Sequence, residues 1–490
     1  MRAEYALVRE LKPYSLAEVA DRLSCNQSQI QEILGRLLAS GVVRYRTRGD
    51  QYESEIADEA EAVDDECYQF RYVGIVIVEQ IVIVCYPKYI RREGGPTENE
   101  LQQMVRVLRK LDGYGELPYP QGDAAWSNEL SVIVRLLQLY DEHGTYSNFE
   151  ETRELNGNGV IDWGRTVDTV TPVLADGFPV YFDYWTRKTR RDESDLITRT
   201  HRAILTECSR FLSRCGIAEL LGFGDVELTD ETLADLGDLE ALDWRLEHER
   251  SGQFVTWKQE AIDLMRLYLS EGSAASASEK VLCLGTTAYY YAWELACKKA
   301  FGDLMDTKLG KLPIKLAGNW CNRASETMLD IIPHPLWERP NGMGGCGDVA
   351  TLIPDTVAFA YDSDGQHVFC IYDAKYYVPT ASGKMEGQPG VESVTKQFLY
   401  QSAYRDFVLD HGFDRVSNVF LVPSEGGNPT FMARVSFPGV LDALVDDIPQ
   451  FSRYVDMWAM PASTIFECYL SSTHLGAMTI SLLTAPSRHC

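Results

Sequence analysis

The 490-residue sequence contains no C-x-x-C pair, no G-x-x-x-x-G-K-[ST] loop and no uninterrupted apolar run of bilayer-spanning length. Each absence closes a class of function. Without paired cysteine spacing, the twelve cysteines scattered from Cys25 to Cys490 read as reduced thiols of a cytoplasmic chain, in place of a disulfide framework or a zinc site. Without a P-loop, any NTP hydrolysis has to come from a partner. The longest apolar stretch, YVGIVIVEQIVIVCY, is broken by Glu79 and Gln80, and the N-terminal MRAEYALVRELKPYS has no signal-type apolar core. No membrane partner is expected. Basic residues are also short: 46 against 72 acidic, a net charge of −26. That balance argues against a surface that coats nucleic acid nonspecifically, but a local basic patch still acts within a Debye length of about 8 Å.

What is present describes a soluble globular chain, 45% hydrophobic and 24% charged, long enough for two to four domains. Residues 1–52 predict a winged-helix-like domain. Apolar positions recur at helical spacing in two blocks, Leu16/Val19/Ala20/Leu23 and Ile30/Ile33/Leu34/Leu37/Leu38, separated by a polar turn. Ser15 and Asn26 or Ser28 are the cap candidates, and Gly41 ends the second helix. VVRYRTRGDQYE then alternates as a hairpin around Arg48-Gly49-Asp50. Such a module reads DNA through the second helix and Arg44, Arg46 and Arg48, or it binds protein; the second helix, rich in glutamine, leaves both open. Residues 53–67, with eight acids in ESEIADEAEAVDDE, predict a solvated linker. Residues 68–255 predict a β-rich middle region, with helices near 97–112, 126–142 and 194–215, a strand FPVYFDYWT and a basic run at Arg187–Arg191 that reads most simply as a solvated edge.

The chemistry concentrates in residues 256–490. TLIPDTVAFAYDSDGQHVFCIYDAKYY reads as two strands joined by a tight Asp/Gly turn, so Asp355 and Asp373 meet at the end away from the turn. Strand alternation puts Asp373 and Lys375 on one face. Two carboxylates and the Ala374 carbonyl make an oxygen-rich site suited to Mg²⁺, or Mn²⁺, and Lys375 can orient a water and offset charge on a phosphate. A preceding helix, TTAYYYAWELACKKAFGDL, offers Glu294 as a further ligand or a water-positioning base. A following helix carries Lys396, Gln397 and Tyr400 on one side, and VSNVFLVP adds another strand. Asp348 in GGCGDVA is a second candidate acid, His334 reads as a loop residue, and Tyr376 and Tyr377 read as packing.

In this order, P-D, D-A-K, an upstream Glu helix and a downstream K-Q helix resemble the PD-(D/E)xK nuclease superfamily. With YVGIVIV…YPKYI, DWGRTV, AWE, IPD, DAKYY and KQFLY in series, the chain is similar more narrowly to LlaJI-type and McrC-like restriction subunits. The resemblance implies an α+β multidomain chain whose C-terminal α/β nuclease domain has a mixed central sheet. It implies metal binding by Asp355, Asp373, Ala374 and Glu294, catalysis by Lys375, support from Gln397, and Lys396 beside the DNA. It also implies a restriction or anti-phage endodeoxyribonuclease acting on double-stranded DNA with an McrB-like AAA+ NTPase, which residues 68–220 would meet, and a homo-oligomer for double-strand cleavage. The alternatives are a catalytically silent DNA-binding or regulatory protein on the same fold, and a transcription regulator driven by the N-terminal module.

Overall fold

The computed structural model describes residues 5–47, 66–113, 126–127, 129–271, 280–337, 346–347, 351–379, 387–445 and 447–484. It has mixed α+β architecture and divides into two compact units. The larger is assembled from residues 5–76, 82–124 and 284–490, and the smaller is built mainly from 125–283.

In the larger unit the two N-terminal helices are Leu16–Arg22 and Gln27–Ala39. Ser15 and Glu18 form a capping box on the first, and Asn26 caps the second through the amides of Ser28 and Gln29. Gly41 turns the chain at φ 73°, a left-handed conformation that favours glycine. The expected hairpin around Arg48-Gly49-Asp50 and most of the acidic segment fall outside the described residues. The described antiparallel partner of Val43–Arg46 is Cys67–Phe70, whose other edge pairs with Pro13–Tyr14. The sequence reading has no strand before the first helix. In fact Ala6–Arg9 runs parallel to Ile81–Tyr86, with Ala6 opposite Ile83. Nearby, the backbones of Gly74 and Gly285 pass so closely that a Cβ on either would lie 2.2 Å from a carbonyl oxygen, which excludes any other residue at both.

The C-terminal part of this unit holds a five-stranded mixed sheet. Helix α1 (Tyr289–Phe301) precedes it; then come β1 (Thr356–Tyr361), β2 (His367–Ala374), α2 (Val391–Ala403), β3 (Arg415–Ser424), β4 (Thr430–Val435), β5 (Val455–Pro461) and α3 (Ala462–Ser471). The spatial order is β1-β2-β3-β5-β4: β2, β3 and β5 run parallel, and β1 and β4 are antiparallel edges. β3 is buried along almost its whole length, as a central parallel strand covered on both faces must be. Phe369, Ile371, Phe398, Phe407, Phe413 and Phe420 fill the core on one side.

The smaller unit is mainly helical, with Glu129–His143, Leu196–Arg214, Leu239–Gly252 and Thr256–Glu271 as its long helices. Across 68–255 helix outweighs strand, so the middle region is mixed where the sequence reading expects it β-rich. Short runs of β-branched residues dominate locally, while the 3.6-residue periodicity of Leu196–Arg214 decides most of the rest. Phe149–Leu155, Trp185–Arg191 and Val160–Ile161 form a small antiparallel sheet. The basic run lies within that strand and is exposed, with Arg190 paired to Glu150. This part of the unit also exposes Val160, Trp163, Leu174, Phe178 and Phe182, each more than half accessible.

Candidate active site

The register of β1 and β2 decides where the acids meet. Thr356 lies opposite Tyr372, so Asp355, one step before β1, arrives beside the end of β2. One oxygen of Asp355, Oδ2, accepts the Ala374 amide at 2.8 Å. Asp373 is 4% exposed, and its Oδ1 lies 2.9 Å from Lys375 Nζ, on the shared face that strand alternation requires. The Lys375 amide continues the ladder onto the Leu421 carbonyl of β3 at 2.9 Å. That carbonyl also accepts Trp293 Nε1 at 3.0 Å, which fixes α1 against the same strand end. On α1, Glu294 is partly exposed and paired with Lys298 at 2.8 Å, one helical turn on.

The electrostatics follow from this crowding. Burial, then the charge and hydrogen bond of neighbouring Asp373, then Glu294, hold the Asp355 carboxyl well above the usual carboxylate range, and Lys375 offsets this only partly. For Lys375, burial works against the charged form, but the charge and hydrogen bond of Asp373, with the charge of Asp355, together outweigh it and raise the ammonium pKa. Lys298 is balanced the same way by Glu294. Asp355 therefore sits against two like-charged neighbours, Asp373 and Glu294, each of them paired with a lysine.

On α2, Gln397 is fully buried, and neither end of its amide has a hydrogen-bond partner. Tyr400, one turn on, has its hydroxyl pKa raised by burial and then by the charges of Asp373 and Asp355, so α2 faces the acids. Lys396 is half exposed and paired with Glu392 at 2.6 Å.

The donor set fits a hard divalent cation. Among the described residues no three His, Cys, Asp or Glu side chains are grouped to hold an ion by themselves. Mg²⁺ does not need them, because it keeps several waters and is commonly held by one or two carboxylates. Asp355 and Asp373, with the Ala374 carbonyl, supply that set. Their repulsion is a local deficit of positive charge that such an ion removes.

The structure thus brings together Asp355, Asp373, Ala374 and Lys375, with Glu294 and Gln397 on the flanking helices. The N-terminal arginines fare differently. Arg44 is half-buried; Arg46 is 5% exposed, with Gln69 3.4 Å away, so it faces the protein and cannot meet DNA as the sequence reading expects. The run VVRYR alternates, and on the face of Arg46 lies the Gln69 side chain of the paired strand Cys67–Phe70. Arg48 and Asp348 lie outside the described residues, and His334 is exposed. Sequence reasoning missed Trp293, whose only signal is its place beside Glu294, and assigned Tyr376 to packing alone. Helical spacing in the sequence predicts an apolar stripe of Ala288, Tyr291, Ala292, Leu295 and Ala296 on α1, whereas Tyr289, Ala292, Trp293, Ala296 and Cys297 are buried and Tyr291 and Leu295 are intermediate.

Among the described residues, no helix is long and apolar enough to cross a membrane. A curated relative, the type II restriction enzyme BsuMI component YdjA of Bacillus subtilis (strain 168), is 26% identical over 419 residues, which span 83% of this chain and 81% of that protein. Among solved structures, the half-complex from the tetradecameric assembly of Thermococcus gammatolerans McrB AAA+ hexamers with bound McrC aligns with TM-score 0.39 and 13% identity, over 95% of this chain and 98% of that one. The McrBC complex of the same organism aligns with TM-score 0.24 and 15% identity, over 54% of this chain and 79% of that one. Residues 72–442 match the sequence family described as LlaJI restriction endonuclease, and with that share of its length matched the chain belongs to this family.

Proposed function

We propose that this chain is the cutting subunit of a restriction or anti-phage defence system, a Mg²⁺-dependent endodeoxyribonuclease of PD-(D/E)xK type acting on double-stranded DNA. The observation that carries this reading is the convergence of Asp355, Asp373 and Lys375 at one end of a mixed sheet. Asp355, Asp373 and the Ala374 carbonyl would hold Mg²⁺, with Glu294, whose charge acts on Asp355, adding a water-mediated contact. Bound there, the ion supplies Lewis-acid activation of water and neutralises phosphate charge. Lys375, held protonated by Asp373, acts as a hydrogen-bond donor to the scissile phosphate and stabilises the charge that develops on it, a role in which a general base is not required. The unsatisfied Gln397 amide has both a donor and an acceptor left to orient a water or a phosphate oxygen. Arg44, Arg48 and Lys396 are the proposed DNA contacts, and Arg46 drops out of that set.

One such site cuts one strand, so double-strand cleavage would take two copies. The partner is proposed as an McrB-like AAA+ NTPase, because the chain has no nucleotide loop of its own and its sequence motifs resemble McrC-like subunits. The exposed apolar residues between Val160 and Phe182 are the part of residues 68–220 best suited to such docking.

Plasmid cleavage in Mg²⁺ tests this, for wild type, Asp373→Ala and Lys375→Met, with and without an AAA+ partner and NTP. Wild type is expected to cut only with partner and nucleotide, and each variant to lose about a thousandfold or more in rate. Equal cutting by Asp373→Ala would sink the site assignment. DNA binding by wild type with no cutting in Mg²⁺ or Mn²⁺ would favour the silent platform.

A further inference from the structure

Tyr376 follows Lys375 and projects to the opposite face of the chain. There its hydroxyl donates to Glu10 Oε2 at 2.7 Å, and the same oxygen accepts the Lys88 amide at 3.1 Å. The Lys88 ammonium lies 5.1 Å from the centre of the Tyr376 ring. Tyr89 and Tyr289 meet that ring edge to face, at 6.3 and 5.8 Å between centroids. Glu10, Lys88 and Tyr376 are 7%, 4% and 7% exposed. A carboxylate this deep is costly unless donors and positive charge gather round it, and here two distant parts of the chain, at Lys88 and Tyr376, supply them.

The cluster does not lie among the acids of the site, yet it touches both elements that carry them. Tyr376 is the next residue after Lys375, and Tyr289 opens α1 five residues before Glu294. The ladder holds Lys375 only through its amide on Leu421, and beyond it the described chain is irregular as far as residue 379. Beyond the lysine, Tyr377 packs against the core on one side, and the side chain of Tyr376 anchors the chain on the opposite face, onto Glu10.

Resting on the nuclease reading above, we propose that Glu10 and Tyr376 form a positioning pair that holds the Lys375 ammonium against Asp373 from behind. The segment leading into the N-terminal helix pair is then a working part of the cutting site. Tyr376 and Glu10 touch no substrate and act through Lys375, whose placement sets how well it meets a phosphate.

Two readouts test this in the full-length chain. The first is the rate at which Lys375 is acylated by a dilute N-hydroxysuccinimide ester, followed peptide by peptide by mass spectrometry. The second is the kinetics of Mg²⁺-dependent plasmid cleavage. Tyr376→Phe and Glu10→Ala are expected to raise Lys375 labelling several-fold and to lower kcat on the order of tenfold or more, with KM nearly unchanged. Glu10→Gln, whose amide oxygen accepts the same two bonds, should stay close to wild type. The Tyr376→Phe/Glu10→Ala double variant should be no worse than the worse single one, because both remove one interaction. Unchanged Lys375 labelling in folded Tyr376→Phe overturns the proposal, as do additive effects in the double variant. If Glu10→Ala does not fold, Tyr376→Phe, which lacks a single oxygen, decides alone. If wild type does not cut, the nuclease reading fails, while the labelling rates still decide whether the pair positions the lysine.

Discussion

Asp355→Asn is expected to make the protein more stable while removing its cleavage activity. The amide keeps an oxygen for the Ala374 N–H, now accepted at 2.8 Å, and has nearly the volume of the carboxyl, so packing is preserved. What changes is charge. Burial, Asp373 and Glu294 all raise the Asp355 pKa, so in the folded state its ionised form is less favourable than in the unfolded chain. The sign follows from linkage: a raised folded pKa means a contribution fully present below the unfolded value, near 3.9, and lost as pH rises through the folded value. At pH 7.5 the wild type carries that penalty and the variant does not. Relieving a strained functional group typically returns about 1 kcal/mol, a rise of roughly 1–2 °C in Tm for a unit of this size. The assay is thermal unfolding in EDTA and then in Mg²⁺. At tenfold excess over its Kd, the ion would add about 1.4 kcal/mol to wild type and little to the variant, so the gap narrows or reverses. A variant less stable than wild type in EDTA, or one with an undiminished Mg²⁺ response, would refute the reasoning.

Trp293→Phe removes the buried N–H bond to the Leu421 carbonyl, which still keeps the Lys375 amide. A loss of about 1–2 kcal/mol in urea unfolding is expected, with lowered cleavage because α1 carries Glu294. In the smaller unit, His201 is fully buried, its Nδ1 accepts the Tyr146 amide, and burial holds its pKa down to about 4. Its contribution is present above the unfolded pKa near 6.5 and lost as pH falls through about 4. Unfolding free energy should drop by about 3 kcal/mol from pH 7 to pH 4 on this account, and His201→Gln should flatten that profile.

The convergence of Asp355, Asp373 and Lys375 was legible because its signals are local. A tight turn between two strands fixes a hairpin, the hairpin fixes which residues lie opposite, and alternation fixes which face they share. Asp355, Asp373 and Lys375 needed nothing more. Arg46 illustrates the converse: its strand was readable, but the strand that pairs with it and brings Gln69 alongside begins at Cys67, beyond an acidic stretch with no pattern to announce a pairing. Glu10 was invisible for the same reason on a larger scale. No periodicity links it to Tyr376, because their contact depends on a parallel pairing of Ala6–Arg9 with Ile81–Tyr86 that only the assembled sheet defines. Trp293 was misplaced because an alanine-rich helix has two nearly equivalent apolar faces, and the partner strand selects between them.

The discontinuity of the larger unit has a consequence during synthesis. Glu10 waits 366 residues for Tyr376, and β3 follows later still. At bacterial and eukaryotic elongation rates that interval is roughly 20–70 s. The smaller unit, nearly continuous in the chain, is complete on the ribosome well before this point. A fragment released early therefore carries neither Asp355 beside Asp373 nor the strand that anchors Lys375. The candidate site is complete only once β3, which ends at Ser424, has been made.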